Sequence, residues 1–307
     1  MDYLKHEPLL RLGFFGGVLV IMALGELFAP RRRLTVKKPL RWASNLGLVA
    51  LNSVVARVLL PIGAVGMALF SEEHGWGLFN NIETPFWLVV VLCVVGLDLA
   101  IYLQHIMFHA VPILWRLHMV HHADLDFDVT TGLRFHTIEI LLSMGIKFAV
   151  VVLLGAPALA VLIFEIALNA TAMFNHANVR LPGWLDRVLR LVLVTPDMHR
   201  VHHSAIPVET NSNFGFNFPW WDLLFGTYRP QPEAGHEGMT IGLAQFRDQS
   251  VAWLHWMLAL PFLGATGNYP VNRSRENDAL RDGEARDQSD AAVVDPANED
   301  DHQHVCS

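Results

Sequence analysis

The stretch PFWLVVVLCVVGLDLAIYL (85–103) carries one acid and no base. A helix of about 20 mostly apolar residues crosses a bilayer, so the run predicts a spanning helix over 86–108. Its polar residues lie on one stripe, with Asp98, Tyr102, His105 and His109 at i, i+4, i+7 and i+11. An acid inside a membrane helix is costly and needs a partner or a task. Similar apolar runs occupy 11–29, 44–70 (with Asn45, Asn52 and Arg57 inside), 138–154 and 158–175. Gly155-Ala156-Pro157 separates the last two, which predicts a tight helical hairpin. A shorter run, 251–264, predicts an interfacial segment. The pattern is that of an all-α integral membrane protein with four to five transmembrane helices and a cytoplasmic helical cap.

Composition agrees. The chain is 52% hydrophobic and 17% charged, with a mean hydropathy of +0.34. Ten acids and four arginines in 271–307 supply −6 of the net charge of −7, so the body is nearly neutral. Expected divisions are 1–85 (first spans and a basic loop), 86–230 (catalytic domain), 231–266 (membrane-associated segment) and 267–307 (disordered acidic tail). No basic patch interleaved with aromatics points to nucleic acid. The two cysteines, Cys93 and Cys306, form no C-x-x-C motif. Arg31, Arg32, Arg33, Lys37, Lys38 and Arg41 make the first loop cytoplasmic by the positive-inside rule, whereas 71–85 has only acids. Counting spans onward puts the histidines of 105–203 on the cytoplasmic side, in what reads as a bacterial inner membrane.

Ten of the 16 histidines lie in that interval: His105, His109, His118, His121, His122, His136, His176, His199, His202 and His203. HMVHH (118–122) and HRVHH (199–203) repeat one H-x-x-H-H pattern, and residues three and four apart share a helix face. Thr195-Pro196-Asp197 predicts the start of the second such helix. Glu165, Asn169 and His176 repeat the polar stripe on the hairpin's second arm. Asp98 and Glu165 are then candidates to accept the second ring N–H of a metal-bound imidazole. Nine or ten histidines oversupply one zinc. Neither H-E-x-x-H nor the Glu-x-x-His pairs of carboxylate-bridged bundles occurs. A histidine-rich pair of irons remains, with zinc able to misload it.

The set H-x-x-x-H (105–109), H-x-x-H-H (118–122), F-N-H-A-N (174–178) and H-x-x-H-H (199–203) is followed by NFGFNFPWWDLLFGTYR (213–229). It resembles the fatty acid hydroxylase/sterol desaturase superfamily over roughly 86–230. Trp221-Asp222 with Phe225-Gly226-Thr227 is similar to its W-D-x-x-F-G-T closing motif. TPDMHRVHH is similar to the alkylglycerol monooxygenase branch. The resemblance implies an integral-membrane di-iron enzyme that uses dioxygen and external electrons on lipid C–H bonds. Position by position it makes His105, His109, His118, His121, His122, His176, His199, His202 and His203 metal ligands. Some members have one more histidine where this chain has Ala172, and His136 is the expected substitute. Asn169, Asn213 and Asp222 join Asp98 and Glu165 as expected supports of the ligands.

Hydroxylation leads, with desaturation, ether cleavage and carotenoid hydroxylation open. The rival class is a zinc-dependent membrane hydrolase or metal-binding protein, with Asp124 or Asp126 as its poised carboxylate. No flavin, nicotinamide or cytochrome module is present, so a separate electron-donor protein is expected, and Arg134, Arg180, Arg187, Arg190 and Arg200 are candidates for its dock.

Overall fold

The computed structural model describes residues 5–263 and 266–271, which form helices and loops with no strand among them. Five stretches are long and apolar enough to cross a membrane. They are α1 (Glu7–Phe28), α2 (Lys38–Leu59) continued by α3 (Gly63–Glu73), α4 (Phe86–Ala110), α6 (Thr137–Leu154) and α7 (Ala158–Asn175). Between α4 and α6 lies α5 (Pro112–His122). The cap continues through α8 (Gly183–Leu189), α9 (Pro196–His202), α10 (Pro207–Thr210) and α11 (Trp220–Phe225).

The run at 44–70 is not one helix. Pro61 lacks an amide hydrogen, and the helix breaks at 60–62 before α3 resumes against α6 and α7. The break sets two levels. Asn52 of α2 donates to Phe135 O (2.8 Å) and accepts from Thr137 Oγ1 (2.6 Å), at the start of α6. The segment after α3 reaches the other end of α6, where a Cβ on Gly155 would come within 3.0 Å of Trp76 O. Gly155 itself takes φ +63° to close α6, and Pro157 opens α7, so the expected hairpin is present. The carboxyl ends of α4 and α7 and the amino end of α6 consequently meet at one end, under the cap.

The sequence DLDFDVTT (124–131) fastens cap to spans. Arg41 of α2 donates to both oxygens of Asp124 (2.8 and 2.9 Å) and to Asp128 (2.8 Å), with all three side chains buried. Asp126 accepts the backbone N–H groups of Thr35 (2.9 Å) and Val36 (2.8 Å). Glu26 of α1 accepts from Val129 N (2.6 Å) and Asn178 N (3.0 Å). Burial alone would raise the carboxyl pKa of Asp124, but Arg41 and then Arg134 hold it at about 2.

The run at 251–264 is divided among short turns, Gln249–Ala252, Leu254–Ala259 and Leu260–Phe262, packed on α2 and α5. Just beyond it, Trp115 Nε1 of α5 donates to Thr266 O at 3.1 Å. The acidic tail from 272 lies outside the described residues.

Replacing Arg41 with Met strands two buried carboxylates, a loss of about 3–5 kcal/mol, to be read as a lowered melting temperature in detergent. The Asp124 carboxyl is depressed on folding. Its stabilising share is therefore present above the ordinary carboxylate range and lost as pH falls through about 2. The gap between native and variant should accordingly shrink in strong acid.

Candidate metal centre

Nine buried histidines converge under the cap in two groups. His105, His109, His118, His122 and His202 form one, and His121, His176, His199 and His203 the other, each offering ring nitrogens within 4.8 Å of one another. Neither H-x-x-H-H triplet aims at a single point, as its spacing alone had implied. A helix turns about 100° per residue, so residues i and i+4 differ by about 40° whereas i+3 and i+4 differ by about 100°. His118 and His122 therefore enter the five-histidine group while His121 crosses to the other. In α9, His199 and His203 enter the four-histidine group and His202 crosses back. The groups share a wall, where the His122 and His203 rings stack at 4.6 Å.

Ring nitrogens face one another at close range. His105 Nε2 lies 3.1 Å from His118 Nε2. His176 Nε2 lies 3.2 Å from both His121 Nε2 and His203 Nε2 and 3.1 Å from His199 Nε2. A neutral imidazole has one N–H, so a hydrogen-bond network cannot account for three such contacts on one nitrogen. Two ligands ~2.1 Å from one ion and about 90–110° apart stand about 3.0–3.4 Å from each other. Nε2 of His109, His122 and His202 is buried with no hydrogen-bond partner. The donor set thus fits two metal ions.

On five of the nine the opposite nitrogen is anchored. His118 Nδ1 is 2.6 Å from Glu139 Oε1, and His109 Nδ1 is 3.0 Å from Asn211 Oδ1. Backbone carbonyls of Phe214, Ser212 and Ala172 serve Nδ1 of His105, His202 and His176, each at 2.7 Å. These contacts fix Nε2 as the free lone pair. Burial, joined by neighbouring rings, pushes the cap histidines well below their ordinary pKa, and His118 and His176 fall to about 3. Neutral imidazole is the form that binds metal.

The W-D-x-x-F-G-T motif holds the carbonyl supports. Asp222 accepts the backbone N–H of Phe214 (2.8 Å) and Gly215 (2.9 Å) and the hydroxyl of Thr227 (2.6 Å). Thr227 Oγ1 in turn lies 2.8 Å from the Tyr102 hydroxyl on α4. A Cβ on Gly215 would come within 2.8 Å of Asp222 Oδ2, so the loop needs glycine there. Asn213 sits at φ +53° and pins the same loop, donating to Met198 O and Arg229 O, both at 2.8 Å.

Other expected residues lie elsewhere. His136 belongs to neither group; its Nδ1 accepts Ile138 N–H to cap α6, and its Nε2 is 3.3 Å from Leu258 O. Asp98 accepts the Trp221 indole N–H (2.8 Å) rather than a histidine. Glu165 pairs with Lys147 (2.7 Å) and Arg11 (2.6 Å), and Asn169 donates to Glu165 O (2.8 Å). Among the described residues Glu139, which the sequence did not single out, is the one carboxylate within hydrogen-bond distance of a clustered histidine. Arg134 and Arg200 are fully buried, which removes them from any docking surface.

A cavity of about 350 Å³ is lined by His105 and His118 together with Phe108, Phe135 and Phe216, and none of the four-histidine group lines it.

Residues 90–227 match the fatty acid hydroxylase family model. Over 177 residues the chain is 36% identical to ornithine lipid hydroxylase OlsE of Rhizobium tropici, which covers 56% of this chain and 51% of that protein. It is 28% identical to the alkylglycerol monooxygenase of Xenopus tropicalis over 242 residues, 76% of this chain and 51% of the relative. Human cholesterol 25-hydroxylase is 28% identical over 152 residues, 46% of this chain and 51% of the relative. The chain spans about half the length of these curated relatives. No solved structure matches it. Residues 90–227, which hold all nine clustered histidines and the W-D-x-x-F-G-T motif, are thus the part of the chain that is similar to the fatty acid hydroxylase family.

Proposed function

We propose that this chain is a membrane-bound, dioxygen-dependent oxidoreductase that hydroxylates a C–H bond of a lipid. The observation that carries the reading is the opening of the five-histidine group, at His105 and His118, onto a cavity between apolar helices, with the four-histidine group adjoining behind it. The ligands are the nine clustered histidines, and the metals are two irons. Bound there, the iron pair supplies the dioxygen activation that cleavage of an unactivated C–H bond requires.

The protein's own share is placement and exclusion. Glu139, Asn211 and the three carbonyls hold five rings in one tautomer. Phe108, Phe135 and Phe216 keep water from the edge presented to substrate. A lipid is the substrate class that reaches such a cavity from the bilayer. Electrons come from another protein, and the site faces the cytoplasm, a reading that the basic loop 31–41 supports.

Relatives named as hydroxylases and monooxygenases favour oxygen insertion over desaturation. The hydrolase reading lacks its base, since Asp124 is held by Arg41 and Asp126 by the 35–36 backbone.

Purified in detergent, the native chain should hold about two irons, and both His118→Ala and His202→Ala should lower that content. Oxygen uptake should require lipid and reductant together. Uptake indifferent to lipid, or lipid turnover under nitrogen, would reject the reading.

Glu139→Gln should weaken metal retention roughly 10–100-fold, measured as metal kept through dialysis against a chelator. Retention equal to native would mean that the Glu139 contact does not support the His118 ligand.

A further inference from the structure

The cap end of α1 carries a groove of about 820 Å³ that shares no lining residue with the cavity at His105 and His118. Arg31, Arg32, Arg33, Lys38 and Arg180 line it. The acids among its lining are two, Glu26 and Glu237, so five cations keep an excess of three charges. Lys38 pairs with Glu26 (3.1 Å), while Arg31 (3.0 Å) and Arg180 share the single carboxylate of Glu237. Asp197 lies 3.2 Å from Arg31 but is also paired with the buried Arg200. Arg32 donates to the carbonyls of His236 and Met239, which leave its charge unmatched. Arg33 is exposed and has no hydrogen bond or ion pair among the described residues.

Depth decides what reaches this groove. The 22 residues of α1 rise ~33 Å, close to the ~30 Å hydrocarbon thickness of a bilayer. Its last turns expose Leu24, Leu27 and Phe28, as a lipid-facing end does. Arg31, Arg32 and Arg33 follow at once, and so stand just past the hydrocarbon edge, at the level of the headgroup phosphates. Trp184, four residues beyond Arg180, is exposed as well, and tryptophan favours that same level.

We infer that the groove binds the phosphate head of an anionic phospholipid, whose acyl chains lie along the Leu24, Leu27 and Phe28 flank of α1. The phosphate oxygens accept from Arg33 and Arg180, in the charge-assisted geometry that guanidinium favours. A zwitterionic head would bring its ammonium against the same excess of positive charge, so the site discriminates by net charge. The groove has no histidine in its lining. The lipid held there is therefore a bound neighbour and not the molecule oxidised. It still adjoins the metal centre, because Arg32 N donates to Asn178 Oδ1 (2.9 Å), two residues past His176. A bound head braces the end of α1 against the segment that leaves that ring.

The test titrates the full chain, in a neutral detergent, with phosphatidylglycerol or phosphatidylcholine and counts retained lipid by native mass spectrometry. Phosphatidylglycerol should be retained at a roughly tenfold lower concentration. Arg33→Ser and Arg180→Ser should each remove most of that preference. Lys37→Ser deletes an exposed cation beside the groove but outside its lining, and should leave the preference intact. Melting temperature and metal content report that each variant is folded. Inorganic phosphate, which lacks the chains, should not displace the lipid. Equal retention of the two lipids, or displacement by inorganic phosphate, overturns the inference. So does a loss in Lys37→Ser as large as in Arg33→Ser, which would mean diffuse attraction to an anionic surface. Binding of an acidic ferredoxin through Arg33 and Arg180, with no lipid preference, would make the groove a protein dock and overturn it too. None of these readouts uses oxygen uptake, so the outcome stands apart from the oxidase reading.

Discussion

Nine imidazoles packed against one another in a water-poor interior must all stay neutral, and each must present a chosen nitrogen. That constraint organises the rest of the molecule. A charged ring there would face both desolvation and its neighbours, and for five of the nine the fold supplies acceptors that settle where the proton sits. Some are side chains, Glu139 and Asn211; others are carbonyls of a loop with no regular structure of its own. That loop needs a scaffold, and the scaffold is Asp222 with Thr227, reaching to Tyr102 on the spanning helix that also carries His105 and His109. A motif that touches no candidate ligand thereby governs the aim of one.

The same logic explains the acidic run after the first triplet. Asp124, Asp126 and Asp128 look like catalytic carboxylates because they follow histidines. Each is spent on architecture, drawing α2 and the loop before it onto the cap. Spans and cap become one body, and the histidines at their junction inherit its rigidity.

Much of this was legible in the residues. Length and hydropathy locate the spans, Gly155 and Pro157 mark the hairpin, and Thr195 caps α9 with its side chain as TPD implies. The histidine spacings identify the nine that converge. What was illegible depended on direction rather than on type. The rotation about the axis that splits each triplet follows from helical geometry, but only the packed helices show which metal group each ring enters. Asp98 and Glu165 have a correct stripe spacing yet meet Trp221 and two cations, because a stripe names a face and not the neighbour across it. His136 and Arg134 were misjudged through burial. One caps a helix, and the other donates to Val120 O and Val251 O. Carbonyl supports leave no mark in a sequence at all.

The crossing of His121 and His202 has a consequence for how such a centre is assembled. Helices α5 and α9 each contribute to both groups, two rings to one and one to the other. The spacing of the two histidine groups then follows in part from helical pitch within α5 and α9. A turn of α5 or of α9 about its axis disturbs both groups at once, whereas α4 feeds only the five-histidine group and His176 only the other.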